Sequence, residues 1–197
     1  MTALTIPTAA GLAEPALASQ RVFRQALEAM ARPGTVVGTE IVLAPPAPLS
    51  RAAGALILTL ADFETLVWFD RAAQSAADYV RFHTGAPLAA QTADAAFAIV
   101  ADSTNLPPLT AFALGTDEYP DRSTSLIVEV ESIAGTGPLM LSGPGILGRR
   151  PLGVHGLAPD FWHQWRTNHR AFPRGVDVFL TAGARFVALP RTTTVET

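Results

Sequence analysis

The chain has 197 residues and a net charge of −3, with 49% hydrophobic and only 16% charged residues, against roughly 25% charged in an ordinary soluble domain. Every basic residue is an arginine, so the sequence offers neither a Schiff-base lysine for pyridoxal phosphate nor the lysine of a P-loop. Cysteine is also absent, which removes disulfides, thiolate nucleophiles, cysteine-bound zinc and cysteine-ligated iron–sulfur clusters.

Met1 to Ala18 has no basic start followed by an apolar run, so it does not read as a secretory signal. With Pro7 and Pro15 and little periodicity, residues 1–18 are expected to form an extended arm ahead of one α/β domain over residues 19–197. Ser19 can cap a helix from Gln20 to about Ala31, where Val22, Phe23, Ala26, Leu27 and Met30 recur at helical spacing and Pro33-Gly34 ends the run. Thr35–Val42 alternates like a strand. Ser50 then starts a helix from Arg51 to about Leu60 that is apolar almost all round and therefore buried. That apolar run, Ala52–Leu60, is too short for the roughly 20 residues a bilayer requires. A short strand at Leu66–Phe69 and a helical segment from Ser75 to Phe82 follow, closed by Gly85-Ala86-Pro87.

Ala96–Val100 reads as an apolar strand leading into a polar, proline-rich loop, Asp102 to Pro108. Ser125–Val130 and Leu139–Ser142 read as strands joined in a hairpin through Gly135–Pro138. Asp160 caps a helix through His169, and Val176–Leu180 and Arg185–Leu189 are strands joined at Ala182-Gly183-Ala184. Strands alternating with helices, then a strand-rich second half, predict an α/β fold with a mixed sheet flanked by helices. No basic cluster is denser than Arg149-Arg150, so no nucleic-acid footprint is expected, and the protein reads as cytoplasmic with no membrane span.

The residues that could carry chemistry are arginines set at the edges of these elements. Arginine binds planar oxyanions bidentately and keeps its charge at any cellular pH. Arg24, Arg81 and Arg191 are the candidates for an anion, with His83 beside Arg81 able to donate or accept a proton. Each has a plainer reading. Arg24 can pair with Glu28 one helical turn on. Arg81 and His83 can answer the negative end of a helix dipole. Pro190-Arg191-Thr192-Thr193 can be an exposed β edge. Ser142-Gly143-Pro144-Gly145 looks like a phosphate loop, but Pro144 removes one of the amides such a loop needs, so it reads as a turn. His163 and His169 lack a ligand at i+3 or i+4, which excludes helical metal binding by them. Trp162, Trp165 and Phe172 form an aromatic group read as core.

Several short stretches, taken in order, resemble the H subunit of the bacterial carbon–phosphorus lyase system, the PhnH family. They are Phe23-Arg24 with Ala29, Met30 and Pro33-Gly34; Leu58–Asp62 with Thr65, Val67 and Trp68; and Arg81–Thr84. Gly115-Thr116, Leu141 with Gly143 and Gly145, Phe172-Pro173 with Gly175–Asp177, and Pro190–Thr193 with Val195-Glu196 complete the series. The resemblance implies a fold similar to the large domain of pyridoxal phosphate-dependent transferases, without the cofactor. It implies a homodimer joining the G, I and J subunits of the lyase core complex, with the L subunit acting alongside. In that system a phosphonate is transferred onto C1 of the ribose of ATP and adenine is released. This chain would be a required subunit without independent activity, with phosphonate or ATP contact open. Two other readings stay open: a free-standing enzyme on a phosphorylated small molecule, with His83 as acid–base, and a purely structural dimerisation module.

Overall fold

Two β-sheets of unequal size set the frame, and the wider one is buried on both faces. The computed structural model describes residues 9–196. In chain order the elements are α1 (Pro15–Ala31), β1 (Val37–Gly38), α2 (Arg51–Leu60), β2 (Val67–Phe69), α3 (Ala77–Thr84), β3 (Phe97–Val100) and β4 (Ser125–Glu129). Then come β5 (Ser132–Ser142), β6 (Arg150–His155), α4 (Phe161–Arg170), β7 (Asp177–Ala182), β8 (Arg185–Leu189) and β9 (Thr194–Glu196). The wide sheet has the order β1-β8-β7-β4-β3-β2 and the narrow one β6-β5-β9. β2, β3, β4 and β7 run parallel, while β8 and β1 each run antiparallel to their neighbour, so the sheet is mixed as expected.

Strand alternation explains why apolar runs mark these strands. Ile99, Ile127, Phe179 and Ala188 stand in one cross-strand row and pack under α1, α2 and α3. One residue on, Val100, Val128, Leu180 and Val187 form the next row and pack against β5, β6 and α4 on the opposite face. Each such side chain contributes about 1.5–3 kcal/mol by leaving water, so a one-residue slip would exchange the two cores rather than expose either. α2 shows the local logic well. Ser50 Oγ accepts the Ala53 N–H at 3.2 Å, and Ala52–Ile57 are all buried. Gly54 lets Pro45 lie on the helix, since a Cβ there would meet Pro45 Cγ at 2.9 Å.

Several expectations need correction. α1 begins at Pro15 rather than Gln20, because proline suits a first helical turn. The arm boundary expected at residue 18 therefore falls inside the helix, and residues 1–8 lie outside the described residues. The strand predicted over Thr35–Val42 is reduced to Val37–Gly38, which pairs with the start of β8. Gly135–Pro138 is not a hairpin turn. It lies within β5 as an irregularity in the pairing with β6, where Gly137 sits directly on Gly153. Val130 and Glu131 carry the chain from the wide sheet to the narrow one. β6 and β9 were not anticipated, one interrupted by Pro151 and Gly153 and the other very short. Among the described residues, no helix is long and apolar enough to cross a membrane.

Candidate functional site

The four residues expected near an anion lie on three separate elements, and among the described residues they share no hydrogen bond. Arg24 is exposed on α1, and its anticipated partner Glu28 pairs instead with Arg32 at 3.0 Å. Arg81 is exposed on α3 and pairs with Asp78 at 2.8 Å. His83 stacks edge-on with Tyr79 and Phe82 and places Nε2 3.1 Å from the carbonyl of Ala9. Tyr79 donates its hydroxyl to the Ala10 carbonyl at 3.0 Å, and Gly11 lies against the His83 ring. His83 thus fastens residues 9–11 onto α3, and burial pushes the Tyr79 phenol above its ordinary pKa.

Arg191 is different, since its whole guanidinium is engaged inside the fold. Its backbone N–H and Nε donate to Asp177 Oδ1 at 2.7 and 3.1 Å, and Nη2 donates to Asp177 Oδ2 at 2.6 Å. Nη2 also donates to Ser123 Oγ at 2.5 Å, and Nη1 to the carbonyls of Pro120 and Pro173 at 3.0 and 3.2 Å. A guanidinium has five N–H donors, and all are used. Arg191 therefore ties together the 120–123, 173–177 and 190–193 loops. A neighbouring bond pair closes the same corner: Asn168 accepts the Val176 N–H at 2.8 Å and donates to the Val176 carbonyl at 2.9 Å. Gly175 permits this, with φ of 128° and a would-be Cβ 2.8 Å from Asn168 Oδ1.

The resembled glycine and proline positions have similar structural work. Gly34 lies against Leu141, Gly145 against the Ala31 carbonyl, and Gly143 against the Thr192 carbonyl. Arg150 Nη1 closes the end of α1 by donating to the carbonyls of Arg32 and Pro33 and to Thr35 Oγ1, at 3.0, 2.7 and 2.6 Å. The 142–145 run leaves β5 in a turn, as its proline predicts.

In open α/β sheets, ligands usually sit outside the carboxyl ends of the parallel strands. Here those ends are occupied by the protein's own backbone. Asp70, after β2, accepts from the N–H groups of Ala73, Ala101 and Asp102 at 2.7, 3.0 and 2.8 Å. Glu129, ending β4, accepts the Ser50 N–H at 2.5 Å and the Thr181 hydroxyl at 3.0 Å, and burial raises its pKa.

The surface best equipped for chemistry is a cleft of about 380 Å³ between α4 and β9. α4 buries Phe161, Trp165 and Asn168. Trp165 Nε1 donates to the Thr193 carbonyl at 2.9 Å, which fixes the helix against the 190–194 run. On the next face, Arg166, His169 and Arg170 line the cleft with Thr194, Val195 and Glu196 opposite. His169 Nδ1 lies 2.9 Å from the Arg191 carbonyl, an acceptor only, so Nδ1 carries the hydrogen. Nε2 is left facing Thr194 Oγ1 at 3.4 Å. Both Glu196 oxygens lie 3.1 Å from Arg149, and among the described residues Arg166 and Arg170 make no ion pair. The cleft therefore carries, among the described residues, an excess of positive charge beside an oriented imidazole. Among the described residues, no group of three His, Cys, Asp or Glu could hold a metal.

Of the sequence candidates, only Arg191 touches this site, through its carbonyl. His169 appeared in the sequence only as a histidine with the wrong spacing for a metal. The readable signal was Arg166, His169 and Arg170 at helical spacing on one face.

The family described as bacterial phosphonate metabolism protein (PhnH) matches residues 10–196. The alpha-D-ribose 1-methylphosphonate 5-triphosphate synthase subunit PhnH of Rhizobium meliloti (strain 1021) is 42% identical, over 100% of this chain and 99% of that protein. A Stutzerimonas stutzeri protein, provisionally named C-P lyase subunit protein HtxG, is 33% identical over 90% of this chain and 85% of its own length.

Proposed function

This chain belongs to the PhnH family of bacterial phosphonate metabolism proteins, and we propose that it is a subunit of an alpha-D-ribose 1-methylphosphonate 5-triphosphate synthase. In that role it supports attack of a phosphonate oxygen on C1 of the ribose of ATP, where the C–O bond forms as the bond to adenine breaks. The observation that carries this reading is the 42% identity to a named subunit, spread over the whole of both chains. The structure supports a subunit rather than a complete enzyme. The strand ends where a central active site would lie are closed by backbone hydrogen bonds.

The partners follow from the same reading: a second copy of this chain, and the G, I and J subunits, with the L subunit acting alongside in the cytoplasm. Arg24 and Arg81 keep exposed guanidinium groups on α1 and α3 that a partner or its bound ligand can reach. We also infer kinship with the large domain of pyridoxal phosphate-dependent transferases. The parallel β2, β3, β4 and β7 with β8 reversed suit that fold, and the absence of lysine suits a member without the cofactor.

The test is reconstitution. Adenine release from ATP and methylphosphonate is expected only when this chain is mixed with the other subunits, and a tagged chain from cells grown on methylphosphonate is expected to bring those subunits with it. Adenine release by the chain alone would favour an independent enzyme. Full activity of the assembly without this chain would overturn the subunit reading.

A further inference from the structure

We propose that the cleft between α4 and β9 binds a tetrahedral oxyanion of the phosphate–phosphonate class, held by Arg166, Arg170 and the Thr194 hydroxyl, with His169 Nε2 taking a proton from it. This rests on the geometry of the cleft and not on the subunit reading.

The charge arrangement is the first argument. Arg166 and Arg170 stand one helical turn apart, and like charges at that spacing destabilise a helix. The helix dipole favours a cation in the last turn, which accounts for Arg170 and His169 but less well for Arg166, a turn further in. The cleft's own carboxylate, Glu196, is neutralised by Arg149 and does not relieve them. A bound oxyanion would turn mutual repulsion into shared attraction.

The second argument is the imidazole. With Nδ1–H donated to the Arg191 carbonyl, the ring is fixed in orientation and tautomer and presents the Nε2 lone pair to the cleft. A monoanion that still carries an O–H, such as dihydrogen phosphate or a hydrogen phosphonate, would give that proton to Nε2. The O–H bond breaks, the N–H bond forms, and the resulting dianion faces two guanidiniums and an imidazolium. Thr194, now 3.4 Å from Nε2, can turn its hydroxyl to the ligand.

The groove on the other side of α4, lined by Leu109, Leu114 and Ala171 together with Asp160, His163 and Thr167, has a carboxylate and no arginine. Gln164 there accepts from the Leu109 N–H and donates to Asp160, and Asn168 is held by Val176.

The experiment titrates the purified full-length chain with inorganic phosphate at constant ionic strength. Calorimetry reads affinity, and the His169 imidazole resonances report the site. The His169 signals are expected to shift on saturation, and the double variant Arg166→Gln/Arg170→Gln is expected to lose at least about tenfold in affinity, the loss expected from one charged hydrogen bond. His169→Asn keeps a donor for the Arg191 carbonyl. It cannot take the ligand's proton, and it is expected to weaken phosphate binding relative to the parent at the same pH. Unmoved His169 signals, equal affinity in the double variant with an unchanged urea midpoint, or the same response to chloride would each overturn the proposal. None of these measurements involves another subunit, so failure here leaves the subunit reading standing.

Discussion

Replacing Arg191 with alanine tests whether this arginine holds the fold or meets a ligand. Its side chain and that of Asp177 are 11% and 22% exposed, so bulk screening is small and the pair counts as largely buried. Removing one partner of such a pair costs about 3–5 kcal/mol, because the other charge is left uncompensated. The carbonyls of Pro120 and Pro173 and the Ser123 hydroxyl lose their donor at the same time. These losses share one side chain and do not simply add, so about 4 kcal/mol is the figure to test. That is a large part of the 5–15 kcal/mol that holds an ordinary domain together. At an m-value of about 2.5 kcal/mol/M, the urea midpoint should fall by roughly 1.6 M. Adding Asp177→Asn removes the orphaned carboxylate and should recover part of the loss, whereas Arg24→Ala and Arg81→Ala should each stay within about 0.5 kcal/mol of the parent. An Arg191→Ala midpoint equal to the parent's would refute the reasoning and return this guanidinium to the list of free anion ligands.

Glu129 gives a pH test. Burial raises its pKa above the ordinary 4.5, so the stability it contributes is present below that value and is lost as pH rises through the raised one. Glu129→Gln can still accept the Ser50 N–H and can donate to Thr181 Oγ1. The variant should therefore gain stability over the parent as pH climbs toward neutrality, read from urea midpoints across that range; parallel pH profiles would count against the assignment. Gly145→Ala should destabilise by at least about 2 kcal/mol. The site combines a φ of 80° with a would-be Cβ 2.0 Å from the Ala31 carbonyl, and an unchanged thermal midpoint would show that the 142–145 turn can shift.

The strands at the centre of the wide sheet are legible because burial on both faces leaves unbroken apolar runs, and Ser50 and Gly85 mark their helix ends by ordinary capping chemistry. What stayed hidden depends on distant pairing. Gly135–Pro138 has the composition of a turn, and only the presence of β6 opposite makes it an irregularity in a long strand. Arg191 stood out as a residue of interest, but its role did not, because nothing in a Pro-Arg-Thr-Thr run reveals that Asp177 and two proline carbonyls converge on it. Along the helix, His169 shows only neighbours with the wrong spacing for a metal. Its partners come instead from the Arg191 carbonyl and from β9, a strand of three residues with no periodicity to read.

The same run, 190–194, faces two ways: the Arg191 side chain holds three loops inward, while its carbonyl and the Thr194 hydroxyl reach His169 outward. Loss of phosphate binding in Arg191→Ala would therefore not by itself put the guanidinium on the ligand. Asp177→Asn separates the two routes, since it loosens the arginine without deleting it. Weaker binding in both variants, with His169 resonances displaced before any phosphate is added, would mean that Arg191 acts by positioning the imidazole. Weaker binding in Arg191→Ala alone, with His169 undisturbed, would mean that the guanidinium leaves its internal partners to meet the anion. The geometry favours the first outcome, because direct contact would require giving up hydrogen bonds that already use every N–H the side chain has.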